Sequence, residues 1–168
     1  MPTTLPVPIE FRLPEGWLAA RPQGADDSEV AFAAVHPRPD AGFAANITID
    51  GGFPKDGVTL EELADASVER LRAFAEPGSV VVVHRREAGS ADAPALTQRL
   101  GFSALTDGDV RRDLVQSQVY LLLVDTGDPH KRAVIRLALT ATAAQHDGVL
   151  GDFQDFVRTV RPDNGAGS

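Results

Sequence analysis

The sequence predicts an α+β domain in which an antiparallel sheet is covered by helices. Three observations carry that reading. Residues 59–76, TLEELADASVERLRAFAE, follow a capped helical pattern. Residues 79–143 then hold four runs rich in sheet-forming residues, joined by connections too short for a parallel crossover. Residues 147–160 return to a helical stripe. Strands segregated from helices in this way mark the α+β class. The 168 residues fit a single domain, 1–168, with a core over about 7–162.

The elements follow in chain order. Residues 7–13 (VPIEFRL) alternate as a first strand, with Pro8 near its start, where a missing N–H is tolerated. Pro14 and Gly16 stop it. Trp17, the one tryptophan, is followed by Leu18 and Ala19 and reads as a core plug at a corner, the alternative being an exposed anchor. Residues 17–21 form a short second strand. Residues 29–36 (EVAFAAVH) and 43–50 (FAANITID) are two more, joined by the loop 37–42. GGFPKDG is turn chemistry.

Thr59 and Glu62 form a capping box for the long helix. Leu60, Leu63, Ala64, Ser67, Val68, Leu71 and Phe74 recur on its inner face, with Glu61, Asp65, Glu69 and Arg72 outside. Pro77-Gly78 ends it. The meander is 79–87 (SVVVVHRRE), 95–106, 110–124 and 132–143, with Asp107-Gly108-Asp109 and the loop DTGDPHK as connections. In the last helix, Leu150, Phe153, Val157 and Val160 share a stripe and Pro162 closes it. The tail 163–168 reads as disordered.

Composition narrows function by exclusion. The net charge of −8 argues against a broad nucleic-acid surface, because phosphate binding needs clustered positive charge. With no cysteine, disulfides, thiol nucleophiles and thiolate metal sites are excluded together. The N-terminus MPTTLPVPIEF has no signal-peptide pattern and no lipobox, and the apolar run near 119–124 is too short to span a bilayer, so the expected compartment is the cytoplasm. His36, His84, His130 and His146 lack metal-ligand spacing and read as solvent or turn histidines. There is no phosphate-binding glycine motif and no nucleophile elbow, so no cofactor and no catalytic residue is predicted.

Turn geometry fixes an expected register. Centring the DGD turn near 108 makes pairs across it sum to about 216; the DTGDPHK loop gives about 256, and the 88–94 loop about 183. Alternation then places Val115, Val119, Leu121, Ile135, Leu137 and Leu139 on an apolar core face. Gln98, Gln116, Gln118, Tyr120, Arg136, Ala138 and Thr140 share the other. Part of that polar face is expected to stay uncovered as a groove. Gln98, Gln116, Gln118, Tyr120 and Arg136 are therefore the candidate binding residues, since Tyr and Arg are enriched at binding hot spots.

The element order, with Phe11-x-Leu13-Pro14-x-Gly16-Trp17 at the front, resembles the PsbP-like fold, an α/β/α sandwich. The matching pieces continue with Asn46 before the long helix, Gly101 in the second meander strand, and Phe153, Phe156, Val157, Thr159, Arg161 and Pro162 at the end. The flavour is similar to the actinobacterial LpqN-like family, whose best-known members are mycobacterial lipoproteins. The resemblance implies a bacterial binding or scaffold domain, not an enzyme, with a link to envelope or secretion biology.

Three functions follow as alternatives. The favoured one is a non-enzymatic domain for an unidentified protein partner. The second is a carrier of a small apolar ligand, lined by Phe11, Phe32, Phe43 and Phe74. The third is an enzyme built on His84 beside Arg99 with an acid from a loop. The first strand is expected at a sheet edge, where Pro6 and Pro8 discourage pairing between copies; with the charge of −8 this predicts a monomer, or a weak dimer through the polar face.

Overall fold

The structure is a computed structural model and describes residues 9–20, 32–55, 57–90, 93–106, 110–125 and 128–162. Its elements are β1 (Ile9–Glu10), β2 (Leu18–Ala20), β3 (Phe32–Val35), β4 (Asn46–Gly52), α1 (Leu60–Phe74), β5 (Val81–Gly89), β6 (Pro94–Thr106), β7 (Val110–Asp125), β8 (Asp128–Thr142), α2 (Ala143–Thr159) and β9 (Arg161–Pro162). Seven strands form one antiparallel sheet in the order β2-β3-β4-β8-β7-β6-β5. The fold is α+β, with one helix on each face of the sheet.

The expected register is the observed one. Ala95 faces Leu121, Leu114 faces Thr142, and His84 faces Arg99. Short connections leave little freedom, and a slip of one residue would turn every apolar side chain to the wrong face. Two irregularities depart from the expected register: a bulge between Val82 and His84 shifts the start of β5 by one residue, and the β7–β8 register shifts between Val124 and Asp125. The expected Pro8 start, the Asp107-Gly108-Asp109 turn and the tail 163–168 lie outside the described residues.

The core lies mainly between the sheet and α2. Ile47, Ile49, Ile135, Leu137 and Leu139 from β4 and β8 meet Val149, Phe153 and Phe156 of α2. Phe11 closes this layer, its ring edge-on to Phe32 at 5.0 Å and to Phe156 at 5.4 Å. Trp17 is the corner plug. It is 6% exposed, and its indole N–H donates to Asp152 at 3.0 Å. Its backbone N–H reaches the Pro14 carbonyl, closing a turn that needs Gly16 at φ +90°.

Several expectations change. The first strand is not at the edge of the main sheet; Ile9–Glu10 pairs with Arg161–Pro162 in a separate two-stranded ribbon, which no sequence pattern announced. The strand expected from 43 starts at Asn46, because Asp40 and Phe43 exchange backbone hydrogen bonds and close the preceding loop. Phe74 is 65% exposed instead of inward-facing. α2 begins at Ala143 and not at 147, since the Thr142 hydroxyl accepts from the Gln145 N–H, forming an N-cap. Its inner stripe is His146, Val149, Phe153 and Phe156, with Leu150, Val157 and Val160 at the margin.

Candidate functional site

The five sequence-predicted site residues do share one face, as expected, but the helix α1 lies on it. Gln98, Gln118 and Tyr120 are each at most 2% exposed. They form a hydrogen-bonded layer that fastens α1 to β6 and β7. The Gln98 amide donates to Gln118 Oε1 at 2.6 Å and to the Ala64 carbonyl at 3.2 Å. The Gln118 amide donates to Ser67 Oγ at 3.0 Å, and Tyr120 Oη donates to Gln118 Oε1 at 3.0 Å. Arg85 extends the layer outward, binding Gln98 Oε1 through Nε and Nη2 and Asp65 through Nη1 at 2.7 Å. Gln116 is half-buried and donates to Thr140 at 2.8 Å.

Arg136 is paired across the strands with Asp50 at 2.6 Å, both largely buried. Burial alone would lower its pKa. Asp50 and Tyr120 more than offset that and hold it above its ordinary value. With Phe53 and Arg70, Arg136 and Tyr120 line a cleft of about 200 Å³, the part of the predicted site that stays open. Gln98 and Gln118 lie under α1, and the uncovered part of this face is the cleft at Tyr120 and Arg136. Alternation assigns residues to a face and says nothing of where a helix sits on it.

A second open surface lies on the opposite side. Among the described residues, α2 lies over β8 and β7, and no helix covers β5 and β6 on that face. This makes a shelf with a cavity of about 500 Å³ between those strands and α2. Its floor is Ala95, Thr97, Ser117 and Val119; Leu150, Phe153 and Val157 of α2 form the wall. His84, Arg86 and Arg99 project from the same face, since His84 pairs with Arg99 and Arg86 with Thr97. Among the described residues no carboxylate lies within 4.0 Å of the charged groups of Arg86 or Arg99. Arg158 at the rim is paired with Asp155 at 2.7 Å. A local cationic surface thus stands in a chain of net charge −8. The doublet Arg85-Arg86 divides as strand alternation requires, one arginine into the layer under α1 and the other onto the shelf.

Behind the shelf, Ser117 Oγ lies 2.8 Å from His146 Nε2. His146 is 2% exposed, against the expectation of a solvent or turn histidine. Its position three residues before Val149 and seven before Phe153 was the signal, visible only once the helix starts at Ala143. Burial pushes its pKa below the ordinary imidazole value; Arg99 acts in the same direction, and Asp147 against it.

The other two alternatives fare differently. His84 and Arg99 are cross-strand neighbours as expected, yet neither has a described carboxylate within ion-pair distance. The four phenylalanines of the carrier reading do not converge. Phe11 and Phe32 belong to the α2 core, Phe43 packs by Phe102, and Phe74 is exposed. A cleft of about 670 Å³ lies instead at the start of α1, lined by Leu60, Leu63, Leu96, Leu122 and Val134. No helix among the described residues is long and apolar enough to cross a membrane.

Comparison with solved structures finds the same architecture in proteins of low sequence identity. LpqN, described as involved in cell envelope biogenesis of Mycobacterium tuberculosis, aligns over 94% of this chain and 86% of its own, with a TM-score of 0.63 and 14% identity. Cyanobacterial PsbP (CyanoP) from Synechocystis sp. PCC 6803 aligns over 92% and 86%, with a TM-score of 0.59 and 15% identity. The fold is PsbP-like. The Saccharomyces cerevisiae Ran-binding protein Mog1p shares it, over 94% and 92% of the two chains, at a TM-score of 0.57 and 13% identity. No family model and no curated protein sequence matches.

Two outcomes test the roles given to the buried polar groups. Gln118→Leu strips partners from Gln98, Ser67 and Tyr120 together, and is expected to cost about 2 kcal/mol in urea unfolding; an unchanged midpoint would contradict the layer. For His146 the sign is set by its depressed pKa. The unfolded imidazole takes up its proton as pH falls through ~6.5, and the folded one only at lower pH. Stability that is complete above ~6.5 is therefore lost below it. His146→Gln should lose less stability than the parent between pH 7.5 and 5.5, and an identical loss would refute the assignment.

Proposed function

We propose that this chain is a non-enzymatic binding domain whose protein partner docks on the shelf beside α2. The observation that carries the reading is the shelf itself: His84, Arg86 and Arg99 beside apolar side chains, on the part of the sheet that neither helix covers. Arg86 and Arg99, without described carboxylate partners and next to an apolar floor, attract an opposite charge. Two fold relatives lend support by analogy, one named for binding Ran and one described for envelope biogenesis. An envelope-linked partner is the finer form of the proposal, alongside the cytoplasmic compartment expected from the sequence. The carrier reading would use the cleft at the start of α1; a bound small molecule above the 17.8 kDa mass in native mass spectrometry is the outcome that would favour it.

The test is affinity capture from the source organism with three baits. The parent chain and Arg72→Glu, a control on the exposed face of α1, should retain the same protein. The double variant Arg86→Glu/Arg99→Glu should lose it by at least about tenfold. Equal capture by all three baits would overturn the shelf as the docking face.

A further inference from the structure

We infer that the partner fills the shelf with an acidic amphipathic helix; the inference rests on the shelf being the docking face. Strands lie ~4.8 Å apart, so β5 and β6 leave a strip ~10 Å wide. Helices packed side by side stand 8–10 Å apart. The strip beside α2 is therefore one helix wide, and α2 already supplies the neighbour with Leu150 and Val157 at its margin.

The floor fits such an occupant. Ala95 and Thr97 are small, and Val119 and Leu121 are only partly buried by α2. Toward the other end of the same strands, Val81, Val83 and Leu105 are each more than half exposed. Val83 lies over Gly101, where the absent side chain keeps the sheet surface low. An apolar stripe laid along β6 would cover these groups, which a soluble domain otherwise leaves in water at a cost. The charges set the sign of the flanks. Arg86 and Arg99 sit mid-shelf, so glutamates or aspartates must border the stripe.

Other occupants fit less well. A strand added to the outer edge of β5 meets the bulge at Val83, a feature that blunts edges against pairing. A second copy of this chain offers acidic residues on α1, at Glu61, Glu62, Asp65 and Glu69, but the apolar stripe of that helix is turned to its own sheet. A flat lipid surface does not enter a groove walled by α2.

The experiment titrates the isotope-labelled full chain with synthetic peptides and follows its backbone amides by NMR. One peptide of ~18 residues, about 27 Å as a helix, carries leucines at helical spacing bordered by glutamates. A second has the same composition scrambled, and a third has lysine for glutamate. The first should shift the amides of Thr97, Arg99, Val119 and Val157, and should bind at least about tenfold more weakly to Arg86→Glu and to Arg99→Glu. Both variants must keep the dispersed spectrum of the parent. The scrambled and lysine peptides should leave the shelf unmoved. Equal binding of the scrambled peptide, shifts confined to the outer edge of β5, or equal shelf shifts from anionic phospholipid vesicles would each overturn the helical occupant. If the captured protein is lost on Arg86→Glu/Arg99→Glu while no peptide moves the shelf, the helix is wrong and the docking face stands. If capture is indifferent to that variant, the docking face fails as well.

Discussion

β8 ends at Thr142 and α2 begins at Ala143, with no residue between them. The rest of the architecture depends on this junction. A helix that starts where its strand stops must fold back over that strand, so α2 covers β8 and its neighbours. Thr142 fixes the reversal from both sides: its hydroxyl accepts from Gln145 N–H at 3.1 Å and donates to Asp40 at 2.5 Å. Phe153 and Phe156 then seal against Ile47, Leu137 and Leu139, and Trp17 anchors to Asp152. The far strands β5 and β6 are out of reach, and the shelf is what remains.

α1 obeys a different constraint. It carries the chain from β4, in the middle of the sheet, to β5 at the edge, and so crosses the other face. Its inner surface is small and partly polar, with Ala64, Ser67 and Val68 buried. A close approach to glutamines suits it better than a layer of large apolar side chains. Every buried amide of Gln98 and Gln118 finds a partner there, which such a layer requires, because an unsatisfied buried polar group costs about 1–3 kcal/mol. Gln98, Gln118 and Tyr120, which read as part of a binding surface in the sequence, are thus the means by which one helix is held.

Much of the fold was legible because it rests on local signals. The capping box at Thr59, the alternation of β6 to β8 and the short turns give elements, register and faces together. Which half of each face stays open was not legible, since it depends on where each helix crosses the strands. Gln98 and Thr97 are adjacent in the chain, yet one is sealed under α1 and the other opens onto the shelf. The β1–β9 ribbon was hidden because two-residue strands carry no period. His146 was hidden because the β8 pattern runs on without a break into Thr142-Ala143, while Thr142 caps the first turn of α2.

The chain has no cysteine, so single thiols report directly on which face is covered. The most direct measurement compares the labelling rates of Thr97→Cys, on the shelf, and Ser67→Cys, between α1 and the sheet, with a small thiol reagent under native conditions. The account predicts rapid labelling at 97 and protection at 67, relieved only by denaturant. Equal rates, or protection at 97 with an accessible thiol at 67, would contradict it.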